Sequence, residues 1–342
     1  MRQNHRWITR VVGAPLALPA DVAQEARRLM SESRAKNTQR AYAADWKVFA
    51  EWCAAQGRQP FPANPDTVAA YIVALSRGTV DRLQPAHPRK LSTITRHLAT
   101  ISVRHREAKE NPVGHVAVRE IMRGLRRDRR KAGEAPRRAA PADLATLKRL
   151  IAAIDASTIG GCQDRALLLL GFAAALRSAS IVGINVEDVK DFGTHMTVTL
   201  REEKTRQTGE PRVVGFHSPD GPLSVRDAIR AWTRLACIKT GPLFRRVTGS
   251  GRIKDKRLGA WAVTRAVHRA AATAGLKVST LRSHSLRAGF ITEADANGAS
   301  LTEIMKVTGQ QRPETVLGYI RHTDAMRGSA ATKVWGGVEK KK

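Results

Sequence analysis

The sequence predicts a mainly α-helical protein with two domains and one small antiparallel β-sheet. Apolar residues recur with helical spacing through most of 21–131, and a nearly continuous apolar stretch, DRALLLLGFAAALRSASIV (164–182), is typical of a buried central helix. One segment, HMTVTLREEKTRQTGEPRVVGF (195–216), alternates β-branched and polar residues around a polar turn, which predicts a β-hairpin. A chain of 342 residues accommodates two domains of ordinary size.

The first domain is predicted as a helical bundle. We expect Asn37 or Thr38 to cap its first helix and Asp66 to cap its second. Tyr42 and Tyr71 fall on the apolar stripes of these helices, so packing in the core explains them better than chemistry does. The helical stripes lie in the segments 37–57, 65–78 and 91–110.

Composition and pattern divide the chain into five parts. Pro136 and Pro141 prevent a continuous helix between the two domains. After the hairpin, helical spacing resumes at Trp261 and continues towards the C-terminus. In chain order we expect a flexible leader at 1–20, a helical domain at 21–131, a basic linker at 132–141, an α-rich domain containing the hairpin at 142–325, and a C-terminal tail at 326–342.

The charge of the chain indicates its partner. There are 59 Lys and Arg residues against 30 Asp and Glu residues, a formal net charge of +29. The excess is shared between both halves of the chain, so it is not confined to a basic tail. A folded surface this positive repels itself unless a polyanion covers it, and phosphate contacts from either domain release counterions. Nucleic acid is therefore the leading partner, and two basic domains joined by a basic linker suggest a C-shaped clamp around a DNA duplex.

Several other classes of protein are disfavoured. Cys53, Cys162 and Cys237 lack the spacing of a zinc site, and we expect them to be reduced in a cytoplasmic protein. The N-terminal segment only weakly resembles an export signal, because Arg10 and two prolines shorten its apolar run. No stretch approaches the ~18 apolar residues of a membrane span. No Asp/Glu cluster suggests a two-metal site, so we expect neither metal nor cofactor.

The second domain carries a set of residues suited to phosphodiester chemistry. Arg177 follows the buried segment, where a permanent charge needs an anionic partner, and Lys204 lies in the hairpin turn. His284 and Arg287 are three residues apart and are expected on one helical face. Tyr319 lies 32 residues after Arg287. A phenol can form a covalent phosphoryl intermediate, guanidinium groups match phosphate oxygens, and lysine and histidine can move protons.

At these residues the sequence resembles the tyrosine recombinase (phage integrase) family, most of all its Cre-like members. The resemblance spans NTQRAYAADWKVFAEWC (37–53), DRALLLLGFAAALR (164–177), REEKTRQTG (201–209), HSLRAGF (284–290) and GQQRPETVLGYIRHTD (309–324). It implies a helical core-binding domain, a catalytic domain, and site-specific recombination through a 3′-phosphotyrosine and a four-way junction, with neither ATP nor metal. The catalytic residues it implies are Arg177, Lys204, His284, Arg287, Gln310 and Tyr319.

The sequence departs from the family pattern at two positions. Gln310, nine residues before Tyr319, stands where the family places histidine or tryptophan, and it can donate a hydrogen bond but cannot titrate. Ser180 replaces the acidic residue usual three positions after the first arginine. The resemblance also implies a homo-tetramer on DNA that is a monomer or weak dimer when free. The tail at 326–342, with Val334 and Trp335, is the expected docking segment between protomers.

Three alternatives remain open from the sequence. A type IB-like topoisomerase or a telomere resolvase would use the same groups, and an inactive DNA-binding protein would use only the clamp. Lys190 or Arg206 could replace Lys204 in its role. The residues expected to contact DNA are Arg40, Arg96, Arg123, Arg126, Arg127, Arg130, Lys131, Arg137, Arg138, Arg206 and Arg282.

Overall fold

The structure is a computed structural model in which the chain forms two compact units, Met1–Pro136 and Arg137–Lys342. It describes residues 19, 21–22, 24–25, 28–29, 36–80, 87–106, 108, 110–133, 139–201 and 211–320. The predicted leader lies outside these residues except for position 19, and the predicted tail lies wholly outside them. The predicted linker is described only in part.

Four α-helices of the first unit are described over their full length. They are α1 (Lys36–Ala55), α2 (Pro65–Arg77), α3 (Leu91–Arg104) and α4 (Val116–Lys131).

Two of the predicted helix caps were wrong. Lysine is a better helix former than asparagine or threonine, and α1 already includes Lys36, so Asn37 and Thr38 lie inside its first turn. The cap of α2 is Asn64, whose side chain accepts the N–H of Thr67 at 2.8 Å. Proline suits the first helical position because its fixed φ is helical. An N–H at this position would have no partner in the helix, so nothing is lost by its absence. The helix therefore starts at Pro65, and Asp66 lies in its first turn.

The core of the first unit is aromatic and contains a buried polar group. Tyr71 is fully buried, as predicted, and its ring packs edge-on against Phe49 at 4.9 Å between centroids. Its hydroxyl is 2.9 Å from Nδ1 of His97, whose Nε2 lies 3.3 Å from the carboxylate of Asp45. Tyr42 is only half-buried. Hydrogen-bonded partners make the burial of such polar groups tolerable.

The second unit is built around the buried helix that the sequence predicts. Its described helices are α5 (Leu144–Ala152), α6 (Ile159–Ala173), α7 (Ser178–Gly183), α8 (Val225–Leu235), α9 (Trp261–Thr273), α10 (Ser283–Ala296), α11 (Leu301–Thr308) and α12 (Pro313–Leu317). Helix α6 packs against α8, α9 and α10. The apolar stretch 164–182 is divided between α6 and α7, with a turn between them. Helix α8 was not predicted, although Val225, Ala228, Ile229 and Trp232 form a helical stripe.

The second unit also contains two small antiparallel sheets. The strands are β1 (Val189–Asp191), β2 (Met196–Leu200), β3 (Arg212–Phe216), β4 (Arg245–Val247) and β5 (Ile253–Arg257). The predicted hairpin is confirmed as β2–β3, in which Leu200 pairs with Arg212, and β1 pairs with the other edge of β2. The separate β4–β5 pair was not predicted. The mainly α class with small antiparallel sheets is therefore confirmed.

Candidate active site

A single buried arginine connects three segments of the candidate site. Arg287 lies in α10 and is only 2% exposed despite its permanent charge. Its Nη1 donates to the carbonyl oxygen of Ala175 at 2.6 Å, and its Nη2 donates to that of Thr308 at 2.8 Å. These carbonyls belong to the turn after α6 and to the last turn of α11. The guanidinium fork therefore fixes both turns relative to α10.

The turn after α6 reverses the chain immediately before Arg177. The N–H of Leu176 donates to Gly171 O at 3.0 Å, and the N–H of Ala175 donates to Phe172 O at 2.9 Å. This pair of bonds is a Schellman motif, in which the residue after the helix adopts left-handed backbone geometry. Ala175 has a φ of 49°, in a position where glycine is usual. The strained alanine is the residue whose carbonyl Arg287 binds.

Arg177 immediately precedes α7 and has an unsatisfied donor. The side chain is half-buried, and its Nη1 is buried with no hydrogen-bond partner among the described residues. A buried guanidinium N–H without an acceptor is costly, so this position fits an anion supplied by a ligand. Ser180, in α7, is 8% exposed and places no carboxylate beside it.

Gln310 follows α11 and is also buried with an unsatisfied polar atom. Its side chain is 6% exposed, and within the described residues its Oε1 has no partner. The two ends of an amide have the same shape, so a half-turn would present two N–H donors at this position instead. The hydroxyl of fully buried Thr308 likewise lacks a partner in this part of the chain. The end of α11 therefore offers uncommitted hydrogen-bonding groups to a ligand.

Tyr319 lies just after the short helix α12 and is half-buried. Its ring packs against a small apolar cluster of Ile291, Ile304 and Val316. Its N–H donates to Val316 O at 2.8 Å, which continues the helical turn by one residue. None of the hydrogen bonds between described residues joins its hydroxyl to Arg177, Arg287 or Gln310. Packing thus holds the ring while leaving the phenol oxygen uncommitted to these groups.

His284 and Arg282 lie at the N-terminal end of α10, and both are exposed. His284 is one helical turn from Arg287, as the spacing predicts, but the two side chains differ sharply in burial. Arg287 is enclosed by the fold, whereas His284 is accessible to a ligand arriving from solvent. The two side chains, one turn apart on α10, therefore differ in their access to solvent.

Lys204 and Arg206 lie outside the described residues, as do Arg137 and Arg138. For Lys204 the structure shows the two strands that flank its segment, β2 and β3. The alternative Lys190 is exposed on β1 and pairs with Thr197.

The arginines expected to contact DNA fall into two groups in the first unit. Arg96 makes two hydrogen bonds to Asp45, at 2.7 and 2.9 Å, which raise the pKa of the guanidinium, and Arg123 pairs with Glu120 at 2.6 Å. Both charges are thus partly neutralised by the protein itself. The side chains that are exposed and form no ion pair with a described residue are those of Arg40, Arg126, Arg127, Arg130 and Lys131.

The structure therefore brings together some of the predicted residues. Arg287 joins the segment that carries Arg177 to the segment that carries Gln310. Tyr319 lies on the second of these segments, nine residues after Gln310. Sequence reasoning missed the buried hydroxyl of Thr308 and the strained Ala175. A threonine and an alanine in apolar helices give no signal that distinguishes them from core residues.

Among the described residues no group of three His, Cys, Asp or Glu side chains could hold a metal ion. No helix in the described ranges has the length and apolarity to cross a membrane.

Solved structures share this fold. One neighbour is a XerH site-specific recombinase bound to difH substrate in a pre-cleavage complex; its TM-score is 0.58 at 16% identity, over 86% of this chain and 79% of that one. Another is a lambda integrase tetramer bound to a Holliday junction, with a TM-score of 0.58 at 14% identity, over 90% of this chain and 77% of the other. At such identities the similarity establishes the fold alone.

Sequence comparison extends the similarity to named relatives. An integrase/recombinase xerD homolog from Selenomonas ruminantium is 29% identical over 316 residues, covering 91% of this chain and 89% of the relative. The recombinase cre of Escherichia phage P1 is 26% identical over 341 residues, covering 92% and 94%. The model of the phage integrase family matches residues 143–326, more than half of the chain. The chain belongs to the phage integrase family of tyrosine recombinases, enzymes of site-specific recombination that break and rejoin DNA strands.

Proposed function

We propose that this chain cleaves and rejoins DNA at specific sites through a covalent 3′-phosphotyrosine at Tyr319. The groups that bind the scissile phosphate or move protons are Arg177, Lys204, His284, Arg287 and Gln310.

The observation that carries this proposal is the unsatisfied Nη1 of Arg177, two residues after the carbonyl that Arg287 binds. A buried donor with no protein acceptor is suited to a phosphate oxygen, because a planar guanidinium matches two such oxygens. Arg287 fixes the turn that precedes Arg177 and the turn that precedes Gln310. The donors are therefore held in place before the substrate arrives, which is how electrostatic stabilisation of a transition state becomes effective.

The proposed chemistry exchanges one ester for another. The phenol oxygen of Tyr319 attacks phosphorus, the phenol proton is lost to a base for which His284 is the candidate, and the bond from phosphorus to the 5′ oxygen breaks. Lys204 protonates the departing 5′ oxygen, which leaves as a hydroxyl. In the second step a 5′-hydroxyl of a partner duplex attacks the phosphotyrosine and releases the phenol. The number of phosphoester bonds is unchanged, so the reaction needs no ATP.

We propose double-stranded DNA as the partner, bound by both basic units, and four protomers exchanging strands through a four-way junction. The net charge of +29 and the exposed cations of α4 support DNA binding. The assembly is supported by the lambda integrase tetramer on a Holliday junction, which shares the fold. We further propose that residues 326–342 dock onto a neighbouring protomer. A chain ending at Ala325 should bind DNA normally yet fail to pair two sites, and normal pairing would contradict this step.

The proposal is tested by covalent trapping on a random-sequence duplex library that carries nicks. A nick lets the short cleaved fragment diffuse away, so the protein–DNA adduct accumulates. Wild type and Tyr319→Phe are compared on denaturing gels without added metal. We expect a shifted band with wild type alone, and sequencing its DNA should reveal the recognition site.

Other outcomes would favour the alternative functions. Tight binding without any adduct would indicate a DNA-binding protein that does not cleave. Relaxation of supercoiled DNA by a monomer would indicate a topoisomerase, and hairpin products would indicate a telomere resolvase. Recombinant products that depend on two copies of the trapped site would support the proposed recombinase.

A further inference from the structure

Arg212 connects the β2–β3 hairpin to the end of helix α11. It is the first residue of β3 and pairs with Leu200, the last residue of β2. Its Nη1 donates to the carbonyl oxygen of Val307 at 2.9 Å and lies 3.4 Å from that of Lys306. These are carbonyls of the last turn of α11, which have no partner within the helix. A cation at the negative end of the helix dipole is favourable, so Arg212 both satisfies and neutralises this end.

The guanidinium of Arg212 also packs directly on Gly309. This glycine ends α11 with a φ of 67°, and its N–H donates to Met305 O at 2.8 Å. A Cβ at position 309 would lie 2.9 Å from the Cζ and Nε atoms of Arg212, too close for real atoms. Two separate constraints therefore favour glycine: the left-handed backbone and the arginine that lies against it. The point where the chain leaves α11 is defined by this contact.

Two arginines thus hold the same turn from different elements. Arg287 of α10 binds the carbonyl of Thr308, and Arg212 of β3 binds that of Val307. Gln310, with its buried and unsatisfied Oε1, follows within three residues of both carbonyls. Removal of Arg212 would leave the backbone before Gln310 anchored from one side only.

We propose that Arg212 is a positioning residue for strand cleavage: it fixes the 307–309 turn so that the amide of Gln310 meets the scissile phosphate. This inference rests on the proposed function of the site. Arg212 acts through Gln310, and it does not itself touch the reacting atoms. Its loss should therefore slow cleavage without weakening DNA binding. A displacement near 1 Å at a reacting group can cost about 100-fold in rate.

A purely structural arginine would behave differently, and the chain offers a matched control. Arg149 donates from Nη2 to Ala274 O, at the C-terminal end of α9, at 3.0 Å. Arg149→Gln removes the same kind of arginine–carbonyl bond without changing the end of α11. Any general effect of losing a helix-end cation on stability appears in both variants. If Arg212 positions Gln310, cleavage at constant DNA affinity should slow in the Arg212 variant but not in Arg149→Gln.

The test measures single-turnover formation of the covalent adduct and binding affinity on the nicked duplex library. The variants are Arg212→Gln, Arg149→Gln, Gln310→Ala and the double variant of 212 and 310, with the melting temperature of each recorded. We expect Arg212→Gln to cleave about 10- to 100-fold more slowly with affinity within about 2-fold of wild type. In the double variant the effects should not multiply, because both act through one group. If Arg212→Gln does not fold, Arg212→Lys takes its place in the test. Lysine keeps the charge but not the planar fork, so this variant should also cleave more slowly than wild type.

Two results would overturn the inference. One is cleavage by the Arg212 variants as fast as by Arg149→Gln, and the other is a double variant whose loss equals the product of the two single losses. Failure of the proposed function is distinguishable, because it would appear as no adduct with wild type or as an adduct with Tyr319→Phe.

Discussion

The guanidinium of Arg287 donates a 2.6 Å hydrogen bond to the carbonyl oxygen of Ala175, the one residue of the turn after α6 with a left-handed backbone. The arginine three residues after His284 therefore stabilises the strained turn that precedes Arg177. The same guanidinium binds the carbonyl of Thr308, two residues before Gln310. Substitution of Arg287 should thus affect both the fold and the chemistry.

Replacement of Arg287 by lysine should destabilise the second unit and abolish cleavage. An ammonium group donates from one point and cannot serve both carbonyls, and each buried carbonyl left without a donor costs about 1–3 kcal/mol. Urea unfolding measures the loss. The control is Arg269→Lys, because Arg269 makes a similar two-pronged contact with Asp164 but is 58% exposed. Equal stability of the two variants would contradict the central role of Arg287.

Ala175→Gly should stabilise the protein by up to about 1 kcal/mol, because glycine adopts a φ of 49° without steric strain. The neighbouring Ala174 has a φ of −96°, where glycine only adds flexibility to the unfolded chain. Ala174→Gly is therefore expected to destabilise the protein. Unfolding free energies that change in the same direction for both variants would show that the turn is not strained.

Gly309→Ala should destabilise the protein more than Gly275→Ala. Both glycines have positive φ, 67° and 63°, but only an added Cβ at 309 meets another residue, the guanidinium of Arg212. The left-handed conformation alone costs about 1–2 kcal/mol for alanine. The difference between the two losses in unfolding free energy measures the steric effect of Arg212. A difference near zero would mean that the guanidinium of Arg212 moves aside without cost and does not fix this turn.

The stability of the first unit should fall as the pH drops below about 6.5. Burial lowers the pKa of His105, with a smaller opposing effect from its bond to Ile101 O. The neutral ring donates from Nδ1 to Ile101 O, and its Nε2 accepts the N–H of Ala63 at 2.9 Å. The unfolded chain binds the proton first, so stability is complete above the ordinary histidine pKa and is lost as pH falls towards the lowered value.

Hydrogen exchange of the Ala63 amide measures this effect, because protonation of His105 removes its acceptor. The protection factor should decrease between about pH 7.5 and 5.5, the range around the ordinary histidine pKa. A His105→Gln variant should lose most of the pH dependence of unfolding, whereas a change at the exposed His87 should preserve it. An unchanged pH dependence in His105→Gln would contradict the assignment.

The exposed cations of α4 should account for part of the salt dependence of DNA binding. Replacement of Arg126, Arg127, Arg130 and Lys131 by glutamine should reduce the slope of log affinity against log salt by about 0.9 for each DNA phosphate that the variant no longer neutralises. Arg123→Gln should reduce it less, because Glu120 already pairs with that guanidinium at 2.6 Å. An unchanged slope in the fourfold variant would remove α4 from the DNA interface.

The sequence was informative where a pattern has one structural solution. The hairpin followed from alternation around a polar turn, and the buried helix followed from a segment that is apolar on nearly every side. The sequence could not reveal that this run breaks at Ala175, because alanine favours helix continuation and only tertiary contacts with Arg287 offset its strain. The role of Arg212 was equally hidden, since it depends on a strand and a helix end that are far apart in the chain.

The most direct test of the account identifies the residue and the DNA end in the trapped adduct. Trypsin should release residues 307–321 as one peptide, because the Arg312–Pro313 bond resists cleavage. After nuclease trimming, mass spectrometry should find a nucleotide on Tyr319, and the adduct should keep a label placed at the 5′ end of the cleaved strand. That result would establish a 3′-phosphotyrosine. A nucleotide on another residue, or retention of the opposite end label, would contradict the proposed mechanism.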